Sequence, residues 1–113
     1  MTSRLTSSLP IVMMLISCAP SAHQGGFNSP DPATKLHAIH RAGEVHDITA
    51  TTSLVEQLDS DDPVIRMMSI QALERITGTR LDYNPYAAAV DRRKAINRWV
   101  TYVQENKPIS PEH

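Results

Sequence analysis

Residues 62–71, Asp62-Pro63-Val64-Ile65-Arg66-Met67-Met68-Ser69-Ile70-Gln71, repeat at an offset of 31 positions the pattern of residues 31–40, Asp31-Pro32-Ala33-Thr34-Lys35-Leu36-His37-Ala38-Ile39-His40. Asp-Pro, a basic residue, a large apolar residue, a small residue and Ile recur in register. The dipeptide has a mechanical meaning at each place. The Asp carboxylate caps orphan N–H groups, and Pro occupies the first helical position, where its missing N–H costs nothing. Both segments therefore open helices, and the fold is read outward from them.

The first helix is expected from Pro32 to Gly43 or Glu44, with Leu36, Ile39 and Ala42 along one stripe. Its companion runs from about Thr49 to Leu58 and buries Leu54, Val55 and Leu58, before the acidic turn Asp59-Ser60-Asp61-Asp62. A third helix spans Pro63 to Thr77 and stops at Gly78. Its apolar set, Ile65, Met68, Ala72, Leu73 and Ile76 with Val64, Met67 and Ile70 beside them, is too wide for one neighbour, so the helix must be covered on more than one side. After the connection Thr79 to Tyr86, a fourth helix begins between Pro85 and Asp91 and ends near Asn106, with Ala95, Ile96, Trp99 and Val103 as its stripe and Arg92 and Tyr102 at the margin. Pro108 blocks continuation. No substantial strand pattern is present. The expected fold class is all-α, two stacked helix pairs.

Ahead of these helices the chain changes character. The amino terminus and Arg4, then Thr6-Ser7-Ser8, then an apolar run from Leu9 to Ile16 broken only by Pro10, have the three-part layout of an export signal. The run is far short of the ~20 apolar residues that span a bilayer. Two positions beyond it stands Cys18, the only cysteine among the 113 residues. A single cysteine forms no internal disulfide, which leaves intermolecular pairing, a free thiol or covalent modification. Residues 19–29 are small, polar and Gly-containing, the composition of a flexible tether.

Charge adds a second axis. The whole chain carries −1 formally, a balance that argues against nucleic acid as a partner. Asp31 to Asp62 holds seven acidic and two basic residues, whereas Pro63 to Lys107 holds four acidic and eight basic. The folded part is therefore electrically polar, which bears on orientation and partner choice.

Two resemblances follow from these residues. Leu15-Ile16-Ser17-Cys18 resembles the bacterial lipoprotein signal, the lipobox. The resemblance implies a cleaved signal peptide over 1–17, diacylglyceryl and further acyl chains such as palmitate on Cys18, and a lipidated tether over 18–30. It also implies a membrane-anchored protein of the cell envelope. Two or three acyl chains anchor stably where one does so only marginally. Ala19 stands where an Asp would hold an enterobacterial lipoprotein at the inner membrane, which favours the outer membrane or periplasmic face. Leu54 through Arg66, continuing through Ala72-Leu73 to Gly78, resembles short HEAT-type repeats, and Leu81 to Pro85 with Arg92 to Trp99 resembles an ending of some bacterial HEAT-like proteins. That likeness implies a short α-solenoid over 31–107, followed by a disordered tail over 108–113. Such arrays usually need about three units, so either the fourth helix caps the stack or a partner completes it, another envelope protein or a second copy of this chain at an open end.

Candidate chemistry is sparse. His37 and His40 stand at i and i+3 with Glu44 and His46 beyond, a set of candidate metal ligands, although zinc sites use three or four converging ligands. No serine sits in a Gly-flanked elbow, and no phosphate-binding glycine loop is present, so neither catalytic residues nor a cofactor are assigned. Arg92, Arg93, Lys94 and Arg98 form a candidate partner-contact face for an acidic partner or anionic lipid. Arg66 reads as structural. Trp99, an interface anchor by residue type, reads as core from its place on the stripe. The sequence thus points to a lipid-anchored, non-catalytic adaptor module, with a metal- or small-ligand-binding accessory protein built on His37, His40 and His46 as the alternative.

Overall fold

The structure is a computed structural model in which residues 26–106 are described. Its order is α1 (Pro32–Glu44), a 3-10 turn (Ile48–Ala50), α2 (Thr51–Gln57), α3 (Pro63–Thr77) and α4 (Ala89–Glu105). The fold is all-α, with no strand among the described residues. The signal-like run, the lipobox and the tail over 108–113 lie outside these residues.

Both Asp-Pro pairs act as the sequence requires. Asp31 accepts from Ala33 N and Asp62 from Val64 N, each with extended backbone, and each Pro stands in the first helical turn. Gly78 ends α3 with φ at 83°. By contrast Ala88, at the start of α4, has no side-chain cap bond.

α1 lies along α3, while α2 packs on both α3 and α4. The outer helices α1 and α4 thus flank a central α2–α3 pair. This explains the broad apolar set of α3, whose Ile65, Ile70, Ala72 and Leu73 are all buried. Gly43 sets the α1–α3 approach. A Cβ there would stand 3.0 Å from Ala72 Cα and 3.1 Å from its Cβ. Ile39, Leu54, Leu58, Ile70, Leu73 and Trp99 form the fully buried centre.

The domain begins earlier than its first helix. Phe27 is buried to 2% exposure, and its carbonyl accepts from Gln57 Nε2 over 3.3 Å. Gly26 lies so close to α1 that a Cβ would come within 2.5 Å of Ala38 Cβ. The segment is therefore a wedge between α1 and α2. A fully buried phenylalanine contributes about 1.5–3 kcal/mol, enough to hold it there. Gly26 and Phe27, which fall in the last part of the expected tether over 18–30, are both buried against the helices.

The connection from α3 to α4 also departs from a simple hairpin. It travels back along α3, so that Pro85 O meets Arg66 Nε at 3.0 Å and Tyr86 Oη meets Met67 Sδ at 3.2 Å before α4 opens. Leu81 and Asp82 both take positive φ, 49° and 58°, inside a turn closed by Tyr83 N to Arg80 O at 3.0 Å. Two such non-glycine residues in succession are strained and persist only where their surroundings hold them.

Candidate functional site

The basic residues of α4 divide into two kinds. Arg98 donates from Nε to Leu81 O at 2.8 Å and from Nη2 to Asp82 O at 3.4 Å. Its neighbour Trp99, fully buried, donates from Nε1 to Arg80 O at 3.0 Å and packs edge-on to Tyr102. Three successive carbonyls of the strained turn are thus held by two adjacent side chains. Arg92 is half-buried and donates from Nη1 to Ala87 O, while its buried Nε has no partner among the described residues.

Arg93 and Lys94 differ. Both are exposed, and the nearest carboxylate to Lys94, that of Asp91, is 4.0 Å away. Val90, one turn earlier, is 63% exposed, and Tyr86 before it is 70% exposed. Of the four predicted contact residues, Arg93 and Lys94 present exposed cationic groups beside apolar side chains, Lys94 in a loose, exposed pair with Asp91, whereas Arg92 and Arg98 are engaged in building the loop.

Arg66 is the hub of the second half. Its guanidinium is almost fully buried and bonds three backbone carbonyls: Pro85 through Nε, Ser60 and Asp61 through Nη1. The acidic turn therefore holds Arg66 by its main chain, not by its carboxylates. Tyr83 joins the same junction, donating its hydroxyl to Leu58 O at 2.7 Å. Burial pushes the Tyr83 pKa above its ordinary 10.0, against the opposing pull of Arg66 and Arg92.

His37, His40 and His46 are all exposed. His40 Nε2 lies 3.0 Å from Glu44 Oε1, and His46 takes φ 52° in the turn after α1. Among the described residues no group of three or more His, Cys, Asp or Glu side chains is gathered to hold a metal ion. A groove of about 270 Å³ opens between α1 and α3, lined by His40, Gly43, Met68, Gln71, Ala72 and Arg75. No helix among the described residues is long and apolar enough to cross a membrane.

Comparison with protein-family models, with curated proteins and with solved structures returned no match.

Proposed function

We propose that this chain is a small lipid-anchored, HEAT-like helical module that serves as a non-catalytic adaptor at a bacterial envelope membrane. The observation that carries the reading is the run Leu15-Ile16-Ser17-Cys18, at the end of an export-like leader and ahead of a helical domain. The HEAT-like part draws support from the way α1 follows α3, with His40 beside Met68 and Gln71 and Gly43 beside Ala72 and Arg75 along one groove. The adaptor part draws support from Tyr86 and Val90, large apolar side chains left in solvent next to Arg93 and Lys94. Tyr and Arg are among the residue types enriched as anchors of protein interfaces. Another envelope protein is the partner this reading requires.

The test is expression of the full chain in a bacterial host as wild type and as Cys18→Ser. The wild type should fractionate with membranes and carry acyl mass on the mature amino terminus, and Cys18→Ser should not; an unmodified, soluble wild type overturns the anchor. Cross-linking the anchored wild type and an Arg93→Glu/Lys94→Glu variant then tests the adaptor. One envelope protein should be captured by the wild type and lost in the reversal, and identical capture by both refutes the α4 face.

A further inference from the structure

The Tyr86 hydroxyl reaches across to α3 and donates to Met67 Sδ at 3.2 Å, so the exposed apolar side chains at the start of α4 do not stand alone. Val64 precedes Met67 by three positions on α3, one turn earlier on the same face, and is 46% exposed. Met67 itself is half-buried. Between Tyr86 and Val90 the chain holds only Ala87, Ala88 and Ala89. No intervening side chain of that segment is larger than a methyl, and the two residues are at most about 14 Å apart along the chain. Val64, Met67, Tyr86 and Val90 thus make one apolar strip that runs from α3 onto the first turn of α4. Arg93 and Lys94, both exposed, follow Val90 by three and four positions and share its face of the helix. Contiguous exposed apolar side chains rimmed by polar ones mark interaction sites.

We propose that this strip is the docking surface for an amphipathic helix of another protein, one that lays apolar side chains on Val64, Met67, Tyr86 and Val90 and sets carboxylates against Arg93 and Lys94. The inference rests on the reading of the α4 face as an adaptor surface, and it deepens that reading by carrying the face onto α3 and naming the chemistry of the partner. Charge chooses between a protein and anionic lipid. Asp91 stands exposed 4.0 Å from Lys94, so two cations and one carboxylate leave a single net positive charge at this edge of the strip. Segments that bind anionic bilayers by charge carry about four to eight Lys and Arg, well above what is present. A few carboxylates on a protein surface are enough to match it, and they fix register and partner choice more than raw affinity. The fold sets the mode of docking. With no strand among the described residues there is no sheet edge for an extended peptide to join, and an apolar strip bordered by charge is the complement of an amphipathic helix.

Fluorescence anisotropy on the full chain carrying Cys18→Ser, which removes the proposed acylation site, tests this. The probe is a labelled helical peptide with a Leu and Ala face and Glu at its polar positions, and its counterpart carries Lys at those positions. The Glu peptide should bind and the Lys peptide should not. Tyr86→Ser and Val64→Ser should each weaken binding by about tenfold, whereas Val100→Ser, at an exposed valine of α4 outside the strip, should leave it unchanged. Arg93→Glu/Lys94→Glu should reverse the preference between the two peptides. All of these side chains are exposed, so the variants should keep the helical circular dichroism of the parent. Equal binding of the two peptides, binding of neither, or binding that ignores either Tyr86→Ser or Val64→Ser overturns the inference. So does attachment to phosphatidylcholine–phosphatidylglycerol vesicles that is lost in Arg93→Glu/Lys94→Glu, which assigns the strip to lipid. If the peptides fail while cross-linking still captures an envelope protein through Arg93 and Lys94, this inference falls and the adaptor reading stands; capture that is identical in the charge-reversed variant removes both.

Discussion

Trp99 Nε1 donates to the Arg80 carbonyl across 3.0 Å, and that one contact joins the middle of α4 to the turn where Leu81 and Asp82 hold positive φ. The indole is fully buried, so it is both core volume and the donor that keeps a strained turn in place.

Trp99→Phe should separate these roles. It keeps most of the ring and removes the donor. Arg80 O retains Tyr83 N, so the loss is near an ordinary hydrogen bond plus a small cavity, about 1–2 kcal/mol. Trp99→Ala should cost about 3–5 kcal/mol. Urea unfolding followed by circular dichroism reads both.

At Gly43 two effects oppose each other. Alanine gains about 1 kcal/mol of helix propensity, but its Cβ meets the Ala72 Cα at 3.0 Å, and backbone yields poorly. Overpacking typically costs about 1–3 kcal/mol, so Gly43→Ala should be destabilising by about 1 kcal/mol. Adding Ala72→Gly relieves the Cβ contact, and a double-mutant cycle should show positive coupling.

Arg66 offers a test of a buried cation held by carbonyls alone. Arg66→Met leaves the Pro85, Ser60 and Asp61 carbonyls without that donor and should cost about 2–4 kcal/mol. Arg66→Lys should recover little of it, because an ammonium cannot reproduce the guanidinium fork. Thermal melts of the three proteins give the order wild type, Lys, Met.

Two groups give the stability a pH dependence of opposite sense. Hydrogen bonds from Thr34 Oγ1 and then Ala33 N hold the Asp31 carboxyl below its ordinary 3.8. A folded-state pKa lowered in this way contributes stability above about 3.8 that is lost as pH falls through the folded value. Tyr83 is the reverse. Its pKa is raised by burial above 10.0, so its contribution is whole below pH 10 and declines as pH rises through the folded value. Asp31→Ala should flatten the acid limb of a plot of stability against pH, and Tyr83→Phe the alkaline limb. Melting temperatures across both limbs check the assignment.

The helices were legible where the sequence carries its own caps. Asp31-Pro32, Asp62-Pro63 and Gly78 gave the bounds of α1 and α3 directly. The start of α4 stayed open between Pro85 and Asp91 because Ala88 offers no capping side chain. Trp99 and Ala95 were readable as core from helical spacing. Phe27 was not, because a single aromatic in a small, polar stretch carries no period, and its pocket comes from residues far along the chain. Helical spacing sets Arg92 at the margin of the α4 stripe and Arg93 away from it, but not the acceptors of the basic cluster: the Ala87 carbonyl for Arg92, and for Arg98 a turn whose two left-handed residues, Leu81 and Asp82, are not the glycines that announce one.

The wedge also bears on the order in which the molecule assembles. Phe27 is made early, yet its partner Gln57 comes 30 residues later, and the slot between α1 and α2 exists only once both helices are in place. The α2–α3 corner closes over a short loop and is favoured early, because local contacts cost less chain entropy to form than distant ones. Seating of Phe27 is therefore a late event, and folding rates measured with and without that side chain should differ mainly in how fast the native state reopens.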